Sequence, residues 1–169
     1  MIEIKKANLN DLEILLRIGK QTFIESHGHS CSKKDLDSYI KNAFNIENFK
    51  KELADNNNIF HLLYYNNRAA GFSKIIPNVA INEHEKTTKL ERIYVLKEFY
   101  DKKLGLTLMD FNINLSKKLK QEGMWLYVWT ENQRAVNFYK KIGFTIVGKY
   151  NFKISETHSN PNHQMLLLY

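Results

Sequence analysis

The stretch that decides the fold reads Trp125-Leu126-Tyr127-Val128-Trp129-Thr130-Glu131-Asn132-Gln133-Arg134-Ala135-Val136-Asn137-Phe138-Tyr139-Lys140-Lys141-Ile142-Gly143-Phe144. Met124 and the residues up to Val128 are bulky and apolar without a break, which predicts a buried strand over 124–128. Asn132 is a favoured N-cap, and Ala135, Phe138, Tyr139 and Ile142 recur at helical spacing, so 132–142 is predicted as a helix. Gly143 then supplies a residue that tolerates left-handed backbone and stops it. A buried strand feeding an amphipathic helix is a unit of a sheet with helices packed on its faces.

The same order recurs upstream. Residues 90–109 read Leu-Glu-Arg-Ile-Tyr-Val-Leu-Lys-Glu-Phe-Tyr-Asp-Lys-Lys-Leu-Gly-Leu-Thr-Leu-Met. Thr87 to Val95 is predicted as a strand. Leu104, Leu108, Phe111, Leu115 and Leu119 predict a helix over 104–121, with Gly123 as its C′ residue. The first-turn amides of such a helix lack internal partners and its dipole favours negative charge. Lys102 and Lys103 add full charges there, so the loop is a candidate phosphate site; a solvated turn is the plainer alternative.

Working outward, Ile2 and Ile4 alternate with Glu3 and Lys5, a short strand over 2–7. Leu12, Leu15, Leu16, Gly19 and Phe23 predict a helix over about 11–24, followed by a loop from Glu25 to Ser32. Ser32 caps a short helix through Leu36, Tyr39, Ile40 and Phe44, and Phe49 and Leu53 mark another. Ile59 to Tyr65 and Ala69 to Ile76 read as a hairpin turned at Asn66-Asn67. Pro77 to Glu85 reads as a polar connection. Phe144 to Tyr150 and His163 to Tyr169 are the last strands. Together these predict an α/β (α+β) fold: a mixed sheet of six to seven strands flanked by about four helices, in one domain over 1–169.

The chain has 169 residues, 43% hydrophobic and 12% aromatic, enough for one core. No apolar run approaches the roughly 18 residues of a membrane span. Glu3, Asp11 and Glu13 interrupt any signal-peptide pattern, and the single Cys31 forbids an internal disulfide. The expected compartment is the cytoplasm, with no membrane partner and no metal. His27, His29 and Cys31 lie two apart in a predicted loop, which is not a standard ligand set. Charge is uneven: residues 1–85 hold 11 basic and 11 acidic residues, and residues 86–169 hold 14 and 7. The whole +7 excess lies in the second half, a surface suited to a phosphorylated cofactor or a nucleic acid. Only 4 of the 25 basic residues are Arg, against base-reading recognition. No nucleic-acid partner is expected.

Asn132, Ala135, Phe138, Tyr139, Lys141, Gly143 and Phe144 fit the pattern Asn-x-x-Ala-x-x-Phe-Tyr-x-Lys-x-Gly-Phe. With its preceding strand this closely resembles the Gcn5-related N-acetyltransferase (GNAT) family. The 90–109 segment then falls where that family carries Gln/Arg-x-x-Gly-x-Gly/Ala. Here Tyr100 and Lys103 replace the first two signature residues and Gly105 matches. Thr22-Phe23, Leu90 to Tyr94, Trp125, Trp129 and Gly148 to Phe152 look most like the PaiA-type polyamine acetyltransferases. Ser155 and Asn162 depart from that type, where Gly and Asp are expected.

The resemblance implies transfer of an acetyl group from acetyl-CoA to a primary amine, a polyamine on the subfamily likeness, by direct transfer in a ternary complex. It implies that Ile93, Tyr94, Val95, Tyr100, Lys102, Lys103, Leu104, Gly105, Leu106, Thr107, Asn132, Phe138 and Lys141 hold acetyl-CoA. The Val95 N–H becomes the donor to the developing oxyanion, Tyr139 the general acid and Glu91 the base, directly or through water. A Glu91 merely paired with Arg92 or a nearby lysine, and a Tyr139 merely packed in an aromatic core, fit the same residues. Glu25, Asp35, Asp37 and Glu47 are the first-half acids available to a cationic acceptor. An acyl-CoA sensor without turnover and an acetyltransferase for peptides or other small amines are the competing functions. Oligomeric state stays open, a homodimer included.

Overall fold

The computed structural model describes all of residues 1–169. In chain order the elements are β1 (Ile2–Lys6), α1 (Leu12–His27), α2 (Lys33–Ala43), α3 (Ile46–Ala54), β2 (Ile59–Tyr65), β3 (Arg68–Ile76), β4 (Thr87–Val95), α4 (Leu104–Lys118), β5 (Gly123–Trp129), α5 (Gln133–Ile142), β6 (Thr145–Lys153) and β7 (Ser159–Leu168). Short 3₁₀ turns, Leu9–Asp11 and Lys97–Lys102, precede α1 and α4. The strands form one sheet in the order β1-β2-β3-β4-β5-β7-β6. Only β4 and β5 run parallel; the other neighbours are antiparallel. The expected mixed sheet is present, with seven strands and five α-helices.

Side-chain alternation shows how the helices are distributed. The Ser73 hydroxyl on β3 donates to Asn112 Oδ1 of α4 at 3.2 Å, while the next residue, Lys74, donates to Glu52 of α3 at 2.8 Å. Successive strand residues face opposite ways, so α3 and α4 cover opposite faces. On the α3 face Glu52 also receives Arg92 of β4, through Nη1 at 2.9 Å and Nη2 at 3.2 Å. The Arg92 guanidinium lies over the Phe44 and Phe49 rings at 5.8 and 5.1 Å. This group ties α3 to the two central strands. Phe49, Phe60, Phe72, Leu15 and Leu104 fill the core around it.

The sheet is split at its centre. Strands β4 and β5 pair only over Thr87–Lys89 and Gly123–Trp125. Beyond that point β4 stays on β3 as far as Val95, and β5 stays on β7 as far as Trp129. The split begins at a bulge: Arg92 faces Lys74 and Leu90 faces Ile75, which leaves Glu91 as the extra residue. A bulge bends its strand and re-aims a side chain. Glu91 is therefore both the residue at which β4 turns away and a residue presented to the opening.

Asn66 and Asn67 both take positive φ, 48° and 64°, as the predicted two-residue hairpin turn requires. Several boundaries differ from expectation. Helix α1 continues to His27, so Glu25 to His27 are helical. Helix α4 ends at Lys118, and Lys120 (φ 59°) takes the left-handed position assigned to Gly123. Gly123 opens β5 instead: a Cβ there would lie 2.5 Å from the Leu167 carbonyl oxygen, so β5 meets β7 through a residue without one. Strand β7 starts at Ser159, before His163. The polar connection at 77–85 buries Ile81 against Trp125 and Leu166. No helix is long and apolar enough to cross a membrane.

Candidate active site

The split opens into a cleft of about 1050 Å³ that runs through the sheet, at the upper end of ligand-site sizes. Its walls are the diverging halves of β4 and β5, and the starts of α4 and α5 and the end of α1 line it as well.

The β4 edge is unpaired here. Gly71 faces Val95 across β3–β4, and the Leu96 N–H donates to the Ala70 carbonyl at 2.8 Å. That pattern makes Gly71 and Val95 a non-hydrogen-bonded pair, whose N–H and C=O groups point away from each other. The Val95 N–H therefore opens into the cleft, as does that of Ile93 two residues earlier. Tyr94, between them, turns its ring to the other face against Phe72, at 5.8 Å.

At one end stands the start of α4. Its N-cap is Lys103, in left-handed backbone (φ 55°) and without a side-chain cap. The Leu106 and Thr107 N–H groups both return to the Lys103 carbonyl, at 3.1 and 3.2 Å. The N–H groups of Leu104 and Gly105 are left without helical acceptors. Lys103, Gly105 and Leu106 line the cleft, with Tyr100, Asn132, Phe138 and Lys141. Lys102, Leu104 and Thr107 do not line it. Lys102 is held by Asp101 at 2.7 Å, Leu104 is buried in the core, and the Thr107 hydroxyl turns to the Lys103 carbonyl at 3.4 Å. Asn132 caps α5 by accepting from the Ala135 N–H at 3.2 Å, which leaves its amide NH₂ for a ligand. Gly143 closes that helix at φ 115°.

Sequence reasoning missed Arg134. Its guanidinium stacks 3.5 Å from the centroid of the Tyr100 ring, and both residues line the cleft. A signal was available: a cation in the first turn of α5 opposes the helix dipole, and such a placement calls for an anion nearby.

Tyr139 lines the cleft, only 8% exposed and edge-on to Phe138 and Phe144. Burial, with the nearby Tyr94 hydroxyl, pushes its phenol well above the ordinary range. The hydroxyl is thus a donor at every working pH.

One face of β5 is aromatic. Trp125, Tyr127 and Trp129 alternate along β5 towards one face. Tyr150 stacks on Tyr127 at 4.3 Å, and His27 and His29 pack on Trp129 at 5.7 and 5.3 Å. Burial, with repulsion from His29, lowers His27 to about 4, so it is neutral near pH 7. Glu91 lies on the same side, bonded to Lys89 Nζ at 2.8 Å. Burial alone would raise its carboxyl. The Lys89 hydrogen bond and the charges of Lys89, Lys74 and Arg92 outweigh this and hold it below the usual range. Of the four first-half acids only Glu25 lines the cleft, and it accepts from Gln21 Nε2 at 3.0 Å and the Lys97 N–H at 2.9 Å. Asp35 accepts from the Ser32 hydroxyl at the start of α2, Glu47 pairs with Lys50, and Asp37 lies outside the cleft. These four acids do not converge: Asp35 and Glu47 are bonded at their own helices, Glu25 is held by Gln21 and across the fold by the Lys97 N–H, and Asp37 lies outside the cleft.

Residues 21–144 match the acetyltransferase (GNAT) family, and the chain belongs to that family of N-acetyltransferases. It is 27% identical over 157 residues to an uncharacterised N-acetyltransferase in the pepI 3′ region of Lactobacillus delbrueckii subsp. lactis, covering 92% of this chain and 91% of that one. It is 26% identical over 148 residues to the spermidine N(1)-acetyltransferase of Thermoplasma acidophilum, covering 86% and 89%. Among solved structures it resembles PaiA N-acetyltransferase from Thermoplasma acidophilum in complex with coenzyme A, with a TM-score of 0.81 and 23% identity over 100% and 99% of the chains. It also resembles the ribosomal-protein-S18-alanine N-acetyltransferase of Escherichia coli, with a TM-score of 0.72 and 19% identity over 99% and 94%. The two structural likenesses establish the GNAT fold. The names of these relatives span a spermidine acetyltransferase and a protein-directed one, so the fold alone does not choose the acceptor.

Proposed function

We propose that the chain transfers the acetyl group of acetyl-CoA to a primary amine of a small polyamine such as spermidine, with both substrates bound at once across the split in the sheet. The observation that carries this reading is the split itself. It sets an unpaired β4 edge beside the uncapped start of α4, and opens to the aromatic residues Tyr127 and Trp129 of β5. The polyamine rests on the 26% likeness to a spermidine acetyltransferase together with those aromatic faces, which suit an alkylammonium.

The residues fit the acyl donor. The Leu104 and Gly105 N–H groups, with Lys103, Arg134 and Lys141, suit phosphates. The groups of Ile93 and Val95, with the Asn132 amide, suit the amides of an extended pantetheine arm. The concentration of basic residues in the second half then reads as charge for this cofactor rather than for nucleic acid.

When bound, acetyl-CoA supplies a thioester carbonyl open to attack. The Val95 N–H donates to the carbonyl oxygen, where negative charge develops as the amine attacks. The Tyr139 hydroxyl donates to the departing sulfur. Glu91 accepts the amine's proton through water. A carboxylate held below its usual range is a poor direct match for an alkylammonium near ~10.4. Its part is to orient that water and to offset the positive charge that forms on nitrogen.

The test is thiol release from acetyl-CoA with spermidine, butylamine and a short peptide bearing a free N-terminus. Spermidine is expected to exceed butylamine in kcat/KM by about tenfold, a difference of about 1.4 kcal/mol. Release with the peptide alone would move the acceptor to a protein terminus. No release with any amine would overturn the transfer reading.

A further inference from the structure

Lys89 stands out on the acceptor side because its ammonium sits in a complete cation receptor. Glu91 Oε2 lies 2.8 Å away, and the rings of Trp125 and Tyr127 lie 5.3 and 5.4 Å from Nζ. Both ring distances fall within the roughly 6 Å range of cation–π attraction. Lys89, Glu91 and Tyr127 all line the cleft, and Tyr127 is braced by its stack on Tyr150. Regular period-two geometry brings the pair together: Lys89 and Glu91 lie two apart on β4, and the bulge at Glu91 keeps that carboxylate turned to the opening.

A carboxylate flanked by two aromatic faces is what a substrate's primary ammonium requires, and the chain fills it with a primary ammonium of its own. The other cations on this face are already used. Lys74 and Arg92 are both held by Glu52. Lys89 is different: its partner lies in the cleft, 23% of its side-chain surface is exposed, and its four-carbon stem lets it swing out.

We propose that Lys89 is a tethered stand-in for a substrate cation, occupying the Glu91–Trp125–Tyr127 site until an acceptor's second ammonium displaces it. The inference rests on the amine-acetylation reading and names the position that tells one class of acceptor from another. An acceptor with a single amine leaves Lys89 in place. A diamine or polyamine gains the carboxylate and both rings, but only against a competitor held at high effective concentration by its own tether. Lys89 thus sets how strongly the site prefers a second charge.

Two measurements test this. The first is the ratio of kcat/KM for spermidine over butylamine, in the wild type and in Lys89→Met. The butylamine value on its own reports any effect of the substitution on Glu91 or on the chemical step. The ratio is expected to rise about tenfold in the variant. An unchanged ratio, with butylamine still acetylated, overturns the stand-in and leaves the reaction intact. Loss of transfer to every amine by the wild type overturns the underlying reading instead. The second measurement needs no variant activity: the ¹H–¹⁵N signal of the Lys89 Nζ group, assigned by its absence in Lys89→Arg, is followed in the wild type near pH 6. Spermidine at saturation is expected to shift or broaden it, and butylamine to leave it. A signal blind to spermidine, while spermidine is turned over, contradicts the displacement.

Discussion

Replacing Lys103 by Gly separates two properties that this residue holds in opposition. Its backbone is left-handed, at φ 55°, where it serves as the N-cap of α4. A side chain in that conformation costs about 1–2 kcal/mol. Glycine removes the cost but loses about 0.5–1 kcal/mol of its own through greater chain freedom when unfolded. The net expectation is a gain of about 0.5–1 kcal/mol. At about 2–4 °C per kcal/mol for a chain of this size, the melting temperature should rise by about 1–4 °C. Lys103→Ala is the control, since alanine loses the same charge and keeps the strain. Thermal melts of the three proteins read the stability. Titration calorimetry with acetyl-CoA reads the other property, because both variants lose one cation beside the Leu104 and Gly105 amides. Affinity should fall roughly two- to fivefold in each, the worth of one partly screened charge. A glycine variant that melts at or below the alanine variant would refute the strain argument. Unchanged affinity in both would remove Lys103 from the phosphate end.

Tyr139→Phe keeps the ring against Phe138 and Phe144 and removes only the hydroxyl. kcat should fall by roughly 10²–10⁴-fold with acetyl-CoA affinity retained, and single-turnover rates check it. Arg134→Ala removes the guanidinium stacked on Tyr100, so acetyl-CoA affinity should weaken most at low salt and converge on wild type at high salt. His27 and His61 are each lowered from 6.5 to about 4, mainly by burial. The unfolded chain therefore binds their protons first, and stability is lost as pH falls from 6.5 towards 4. Each contributes a slope of up to about 1.4 kcal/mol per pH unit. Urea unfolding across that range should flatten in a His27→Phe/His61→Leu double variant.

The sequence spoke most clearly where a local signal agreed with the tertiary demand. Asn132 and Gly143 bound α5 because one side chain caps it and the other takes φ 115°. Asn66-Asn67 turn the hairpin for the same kind of reason, both tolerating positive φ. Gly123 misled because glycine serves two ends, stopping a helix or admitting a close strand, and only the neighbouring Leu167 carbonyl decides between them. The split between β4 and β5 left no mark in composition, since both strands read as ordinary buried runs. The bulge that begins it depends on Lys74 and Ile75 of a different strand. The surroundings of the first-half acids were hidden for a related reason. Glu25, Asp35 and Glu47 look available in sequence, but Asp35 and Glu47 prove to be bonded locally and Glu25 is held by the Lys97 N–H from across the fold. Lys89 and Arg134 matter only through rings brought from elsewhere in the chain.

The proposed transfer depends on the Val95 N–H, which points into the split, as the donor to the acyl carbonyl. A crystal structure with a thioether analogue of acetyl-CoA that keeps the carbonyl tests this most directly. The carbonyl oxygen is expected at about 2.7–3.1 Å from the Val95 nitrogen, with the phosphates on the Leu104 and Gly105 amides. An analogue bound with its carbonyl out of hydrogen-bond reach of Val95, and its phosphates away from the start of α4, would contradict it.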